Sequence, residues 1–195
     1  MTYWVVNYDT ISKQVEVITQ GSSVFAKAAT YEVLHLNQSK AGIDKETYSI
    51  ELAVFSQINE IRRDRDFNEL EWDPMLAKLA RGHSFDMVEN KYLNHTNLHG
   101  DGPNERAKLI GLKTRIETET KIYDGIGENI GFMPKGIVQD VGVLITNEDV
   151  AFAMVLQWML SEPHKKNILD DDYRFTGVGV VYDGKGSYYL TQNFQ

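Results

Sequence analysis

The sequence predicts an α+β domain in which helices pack on an antiparallel sheet. Three observations support this class. Apolar residues have helical spacing at 48–64, a helix-start signal stands at Asp73-Pro74, and two β-rich runs close the chain. The helical segments come mainly before the paired strands, an order that favours helices segregated on the faces of one sheet.

The composition indicates a folded domain and excludes several classes of function. The chain has 195 residues, of which 42% are hydrophobic, enough to build a core. Its formal net charge of −8 argues against nucleic-acid binding through a basic surface, and no apolar run is long enough to span a bilayer. Because cysteine is absent, disulfides and thiolate metal sites are excluded.

Residues 1–45 are predicted to form a β-rich segment separate from the main domain. Residues 3–8 and 14–19 have the aromatic, β-branched and alternating character of a hairpin. A polar stretch follows, so we expect an N-terminal segment at 1–45 and a main domain at 46–195. The N-terminus lacks the basic and apolar regions of a signal peptide, as a cytoplasmic protein or a trimmed secreted one would.

The main domain opens with two predicted amphipathic helices. Residues 48–64 carry apolar side chains every three to four positions, the spacing of one helical face. Asp73 followed by Pro74 combines an N-cap acceptor with a proline suited to the first turn. The second helix therefore starts there and runs to about Asn90. A short third helix is predicted at 105–110.

The second half of the main domain combines a glycine-flanked segment, a helix and a closing hairpin. Residues 127–131 have a glycine at each end, so the backbone is expected to turn sharply there or to approach another group closely. A capping box at 146–149 opens a helix that Pro163 ends or bends. Strands at 175–182 and 187–194 are joined by an Asp-Gly hairpin signal.

The main domain also carries short motifs whose order along the chain is more informative than any one of them. They are Leu70-Glu71-Trp72-Asp73, His83-Ser84, Asn94-His95, Gly102-Pro103-Asn104-Glu105-Arg106, Gly127-Glu128-Asn129-Ile130, the run from Trp158 to Asn167, Gly177-Val178-Gly179-Val180, and the run from Tyr189 to Phe194. In this order they resemble the CAP superfamily, or SCP-like domains: the cysteine-rich secretory, antigen 5 and pathogenesis-related proteins, here in a cysteine-free bacterial branch.

The resemblance has consequences for fold and location. It implies an α-β-α sandwich, which agrees with the α+β class predicted from the residues. The segment at 1–45 resembles the tail of a domain that often precedes this one in Gram-positive surface proteins. We therefore expect an extracellular or cell-surface protein of a Gram-positive bacterium.

The resemblance also implies a cleft of two histidines and two glutamates that can hold a divalent metal such as zinc. His95 matches the first histidine, and Glu128 matches the glutamate of the Gly-Glu-Asn motif. The second glutamate position holds Ser161, with Glu162 beside it, and His164 is the candidate for the second histidine. We expect His95, Glu128 and His164 to meet in one cleft as candidate catalytic residues, with His95 and His164 as candidate metal ligands.

This trio supports two kinds of chemistry. Two neutral imidazoles near a carboxylate can hold zinc or another divalent cation and leave a position open for water. The carboxylate would then bind the metal directly or orient one imidazole. Without a metal, the same groups can transfer protons, since histidine titrates near neutral pH.

Structural roles compete with these chemical ones. A buried Glu128 needs a partner, for which Arg106 is the candidate. His83 falls on an apolar helix face, Asn129 is expected to form a turn, and Ser161 is expected to bond locally rather than act as a nucleophile. The candidates for ligand contact or support around the cleft are His83, Arg106, Asn129, Ser161 and Glu162.

Three functions remain open at this point. The first is a cell-surface binding module for a small ligand, lipid, peptide or cell-surface component. The second is a metal-dependent hydrolase acting on peptide or cell-wall material. The third is a structural scaffold whose function resides in a further domain. Whether the protein is an enzyme stays uncertain, and the incomplete match to the four-residue cleft leans against it.

Overall fold

The computed structural model describes residues 44–117, 122–138, 142–144 and 146–195. The hairpin predicted at 3–19 lies outside the described residues. The helices of the described residues are α1 (Lys45–Arg63), α2 (Pro74–Asn90), α3 (Pro103–Leu109), α4 (Asn147–Leu160) and α5 (Glu162–Ile168). The strands are β1 (Glu71–Trp72), β2 (Arg115–Glu117), β3 (Ile122–Asp124), β4 (Gly127–Pro134), β5 (Gly136–Val138), β6 (Gly142–Leu144), β7 (Phe175–Tyr182) and β8 (Ser187–Phe194).

The central sheet has four strands in the order β1-β7-β8-β4. The strands β7 and β8 form the predicted closing hairpin, and β8 also pairs antiparallel with β4. The two-residue β1 pairs with β7 in parallel, so one edge of the predicted antiparallel sheet departs from that pattern. Two small antiparallel pairs, β2–β3 and β5–β6, lie outside this sheet.

Helices cover both faces of this sheet, which confirms the α-β-α sandwich. The helix α2 packs on one face of β7 and β8. It comes so close that a Cβ on Gly177 would lie 2.6 Å from Ala77 Cα. The helices α1 and α4 pack together on the other face, with Val178, Leu190 and Trp158 fully buried in the shared core.

Local capping explains where the helices start. Asp44 accepts a hydrogen bond from Thr47 N at 3.1 Å, so α1 begins at Lys45, three residues before its predicted start. Asp73 caps α2 as predicted, accepting from the backbone nitrogens of Met75 and Leu76. The predicted capping box of α4 is also present, with Thr146 and Asp149 bonded reciprocally.

The segment 127–131 is a strand and not the sharp turn that its glycines suggested. It forms the first half of β4, and Glu128 pairs across the ladder with Asn193. Its glycines serve the other predicted role, close approach, because a Cβ on Gly127 would overlap the Tyr173 ring and one on Gly131 would overlap Met154. Asn129 is therefore fully buried in a strand, and its prediction as a turn residue is wrong.

The helices of the described residues include none that is both long and apolar enough to cross a membrane.

Candidate functional site

The site is centred on the carboxylate of Glu128, which points from β4 toward the side of the sheet that α2 covers. Its side chain is only 2% exposed. One oxygen, Oε2, accepts from Arg106 Nη2 at 2.5 Å and from Asn193 Nδ2 at 3.0 Å. The other oxygen, Oε1, bonds to His95 Nδ1 at 3.0 Å. Glu128 therefore makes a charge-assisted bond on one side and holds an imidazole on the other.

His95 is the solvent-exposed residue of this arrangement. It lies in the loop after α2, and its side chain is 47% exposed although its partner Glu128 is buried. An ionised carboxylate only accepts hydrogen bonds, so the proton of the neutral ring must be on Nδ1. The opposite nitrogen, Nε2, is then a bare acceptor, free to bind a hydrogen-bond donor, a metal or a proton.

Arg106 fixes the loop that carries His95. Besides Glu128, it donates from Nη1 to the His95 carbonyl at 2.6 Å and to the Asp101 carbonyl at 2.9 Å. Its side chain is 9% exposed and comes from α3, whose first turn the Gly102-Pro103 motif opens. The Arg106–Glu128 pair that was expected as a structural alternative therefore exists, and it supports the His95 loop at the same time.

His83 forms a buried wall behind Glu128. It is on α2, its side chain is fully buried, and Nε2 lies 2.9 Å from the Asn94 carbonyl and 3.9 Å from Glu128 Oε1. A carbonyl accepts, so Nε2 carries the proton and Nδ1 is bare, with no hydrogen-bond partner among the described residues. Burial lowers the pKa of His83 and keeps it neutral, although the Glu128 charge acts in the opposite direction.

His164 interacts electrostatically with His95, and it is not bonded to Glu128 among the described residues. It lies in α5, and burial together with the neighbouring His95 imidazole lowers its pKa. Its carbonyl accepts from Asn129 Nδ2 at 3.2 Å. Among the described residues, the hydrogen bonds and ion pairs of the Glu128 carboxylate do not include His164. His164 thus feels the charge of His95, but only His95 is held by the carboxylate.

Ser161 and Glu162 lie at the junction of α4 and α5. Ser161 ends α4 and precedes α5 without a side-chain capping bond, so the local bond expected of it is not a helix cap. Glu162 is 86% exposed and lies 3.3 Å from Lys165, so it belongs to the outer surface of α5. Within the described ranges, neither side chain is hydrogen-bonded to Glu128 or His95.

Two asparagines that the sequence analysis did not single out complete the site. Asn193 on β8 bonds the Glu128 carboxylate, and Asn167 on α5 donates to the Glu128 carbonyl at 3.2 Å and to Asn129 Oδ1 at 2.9 Å. The only sequence signal for Asn193 was its place in the 189–194 motif. Its partner lies 65 residues away, so no local pattern could have identified the bond.

Opposing effects set the ionisation of Glu128. Burial raises its pKa, but the hydrogen bonds from His95 and Asn193 and the charge of Arg106 outweigh burial, and the net pKa is below 4.5. The carboxylate is therefore ionised at neutral pH. A buried anion beside a half-exposed imidazole can orient that ring, stabilise a developing positive charge on it, and so assist proton transfer.

The same residues fit a metal site less well than they fit proton transfer. Among the described residues there is no group of three or more histidine, aspartate or glutamate side chains placed to hold a metal ion. Both oxygens of Glu128 already have partners, so the predicted ligands His95 and His164 would have to bind a metal without that carboxylate. Catalytic zinc sites usually have three protein ligands, so two imidazoles would need ligand or water atoms to complete the shell.

Comparisons with known proteins find one matching protein family and two similar proteins of Bacillus subtilis. Residues 55–194 match CAP, described as the cysteine-rich secretory protein family. The uncharacterized membrane protein YlbC of Bacillus subtilis (strain 168) is 34% identical over 180 residues, which is 89% of this chain and 44% of YlbC. The uncharacterized protein YkwD of the same strain is 31% identical over 134 residues, 69% of this chain and 43% of YkwD. The chain thus spans less than half the length of both curated relatives.

Solved structures agree on the fold. An extracellular protein containing a SCP domain from Bacillus anthracis str. Ames is 25% identical with a TM-score of 0.59, and the match covers 80% of this chain and 44% of that one. An outer surface protein from Borrelia burgdorferi is 22% identical with a TM-score of 0.60, covering 78% of this chain and 94% of that one.

Proposed function

Since the chain belongs to the CAP family, the cysteine-rich secretory proteins, we propose that it is an extracellular or cell-surface binding module of a Gram-positive bacterium. In this proposal the ligand binds at the His95–Glu128 pair. The location is supported by similar proteins described as an extracellular protein with a SCP domain and an outer surface protein. A relative named as a membrane protein is compatible with a domain held at the membrane surface by another part of that chain.

One observation carries the proposal: a half-exposed imidazole is held by a fully enclosed carboxylate. A surface histidine without a role needs no buried anion, and burying an anion is costly unless it is fully bonded. Here Arg106, Asn193 and His95 together satisfy it. The result is a fixed ring that offers Nε2 to a donor group, such as a hydroxyl or amide of a peptide, lipid or cell-wall fragment.

A divalent cation is the second candidate ligand, and the electrostatic interaction between His95 and His164 supports it. They would supply two neutral nitrogen ligands, as zinc accepts, and the bound ligand or water would supply the others. Glu128 would act by orienting His95 rather than by binding the metal, because both of its oxygens are engaged.

If the protein is a hydrolase of peptide or cell-wall material, the His95–Glu128 pair would be its proton-transfer group.

We expect zinc and a soluble muropeptide, titrated separately by calorimetry, to show at least one binding event that depends on His95. His95→Ala should weaken that binding at least tenfold, which corresponds to about 1.4 kcal/mol. The exposed His99 is the matched control, since His99→Ala removes an exposed imidazole from the same loop and should leave binding unchanged.

The same samples separate binding from hydrolysis. The proposal expects the muropeptide to be recovered intact by mass spectrometry after titration. Cleavage by the wild type that Glu128→Gln abolishes would replace the binding module with the hydrolase. Failure of both probes to bind, or equal weakening by His95→Ala and His99→Ala, would remove the His95–Glu128 pair as the ligand site.

A further inference from the structure

Asn193 is fully buried in β8, directly across the ladder from Glu128. Its Nδ2 donates to Glu128 Oε2 at 3.0 Å, while its Oδ1 has no hydrogen-bond partner among the described residues. A buried amide oxygen without a partner is destabilising, and an apolar side chain of similar size would avoid that cost. The Asn193 side chain therefore lowers the stability of the fold unless its Nδ2 group is needed as a donor to Glu128.

The orientation of this amide follows from its neighbour. If the amide were rotated to exchange its oxygen and nitrogen, Oδ1 would face the ionised carboxylate, and two acceptors would oppose each other. Asn193 is thus restricted to donating toward Glu128. Leucine at this position would fill similar space, and aspartate would add a second buried anion, so neither could take its place.

The donated bond decides which carboxylate oxygen is left for His95. Arginine and carboxylate groups favour a two-pronged pairing that uses both oxygens. Here the pairing has one prong, Arg106 Nη2 to Oε2, because Nη1 is bonded to the carbonyls of His95 and Asp101. Asn193 adds a second donor to the same Oε2 and holds the carboxylate in the rotation that directs Oε1 to His95 Nδ1.

We propose that Asn193 is a positioning residue for the ligand site: it fixes the rotation of the Glu128 carboxylate and thereby the tautomer of His95. Asn193 acts through Glu128 and does not itself contact the ligand. This role rests on the proposed function only in that the His95–Glu128 pair is taken as the ligand site. The chemistry of Asn193 can be examined without any ligand.

The test measures the His95 tautomer by ¹⁵N NMR of the imidazole in ligand-free protein near pH 7.5. Asn193→Leu should convert the single Nδ1–H form of His95 into a mixture of both tautomers, while the fold is retained. Gln192→Leu is the matched control, because Gln192 is equally buried on the same strand, lies on the opposite face and also has an unpartnered amide oxygen. It should leave the Nδ1–H form unchanged.

Asn193→Ala removes the same donor with a smaller side chain and serves if the leucine variant does not fold. A His95 tautomer that stays fully Nδ1–H in a folded Asn193 variant would overturn the positioning role. So would an equal change in Gln192→Leu. Because this readout needs no ligand, it decides the role of Asn193 even if the zinc and muropeptide titrations fail, and those titrations can succeed while this role fails.

Discussion

Gly177→Ala should destabilise the protein by at least about 3 kcal/mol, the upper range for adding a methyl group to a packed core. The helix α2 lies against β7 so closely that the new Cβ would be 2.6 Å from Ala77 Cα and would overlap the Ala77 backbone nitrogen. Backbone atoms cannot rotate away as a side chain can, so the helix and sheet would have to separate. We expect the melting temperature to fall by about 6–12 °C.

Gly82→Ala is the matched control for this substitution. Gly82 is exposed on the same helix, and nothing lies within 4 Å of a Cβ placed there. Alanine favours helices over glycine, so this variant should be stabilised by about 0.5–1 kcal/mol. If Gly177→Ala left the melting temperature unchanged, α2 would not lie as close to β7 as described. The position of His83 behind Glu128, which depends on α2, would then also be incorrect.

Arg106→Ala should destabilise the protein by about 3–5 kcal/mol at neutral pH, the cost of breaking a buried ion pair. The side chains of Arg106 and Glu128 are 9% and 2% exposed, so the remaining carboxylate would be left charged in the interior. The carbonyls of His95 and Asp101 would also lose their donor. Chemical denaturation of wild type and variant measures this difference directly.

The surface pair of Arg63 and Glu69 provides the matched control. These side chains are 43% and 51% exposed, so Arg63→Ala should change stability by less than about 1 kcal/mol. A similar change in both arginine variants would reject a buried pair. Adding Glu128→Gln to Arg106→Ala should restore part of the lost stability, because the uncompensated charge is then removed.

The effect of Arg106→Ala also has a predicted pH dependence. The partners of Glu128 hold its folded pKa below the ordinary value of 4.5. Its contribution to stability is therefore complete above pH 4.5 and is lost as the pH falls through the lower, folded pKa. The difference between wild type and Arg106→Ala should accordingly be largest near neutral pH and shrink in acid.

Local signals predicted four of the five helices of the described residues, because caps act over three or four residues. The helix α5 was not predicted, since Pro163 was expected to end or bend the helix before it. Asp73-Pro74 and the Thr146 capping box set the starts of α2 and α4 as expected. The strand β4 was not predicted, because its pairing partner β8 lies about sixty residues further along the chain and its glycines resemble turn signals. The parallel edge β1 was too short to carry a pattern of its own.

The site could be predicted from the sequence only in part, because many of its contacts also join residues that are distant in the chain. The contact between His95 and Glu128 lies where the motif order placed it, and Arg106 was recognised as the expected counter-ion. Asn193 and Asn167 are ordinary polar residues until the fold brings them beside β4. The position of His164 depends on the packing of α5 on β4, which has no local signature.

The tautomer of His95 in the unmodified, ligand-free protein shows whether buried Glu128 holds the ring. If buried Glu128 holds the ring through Nδ1, ¹⁵N NMR near pH 7.5 will show the Nδ1–H form with a bare Nε2. If the ring is instead an unrestrained surface histidine, the spectrum will show mainly the Nε2–H form that histidine favours in water. That result would mean that Glu128 does not hold His95 and that the pair is not a preformed ligand site.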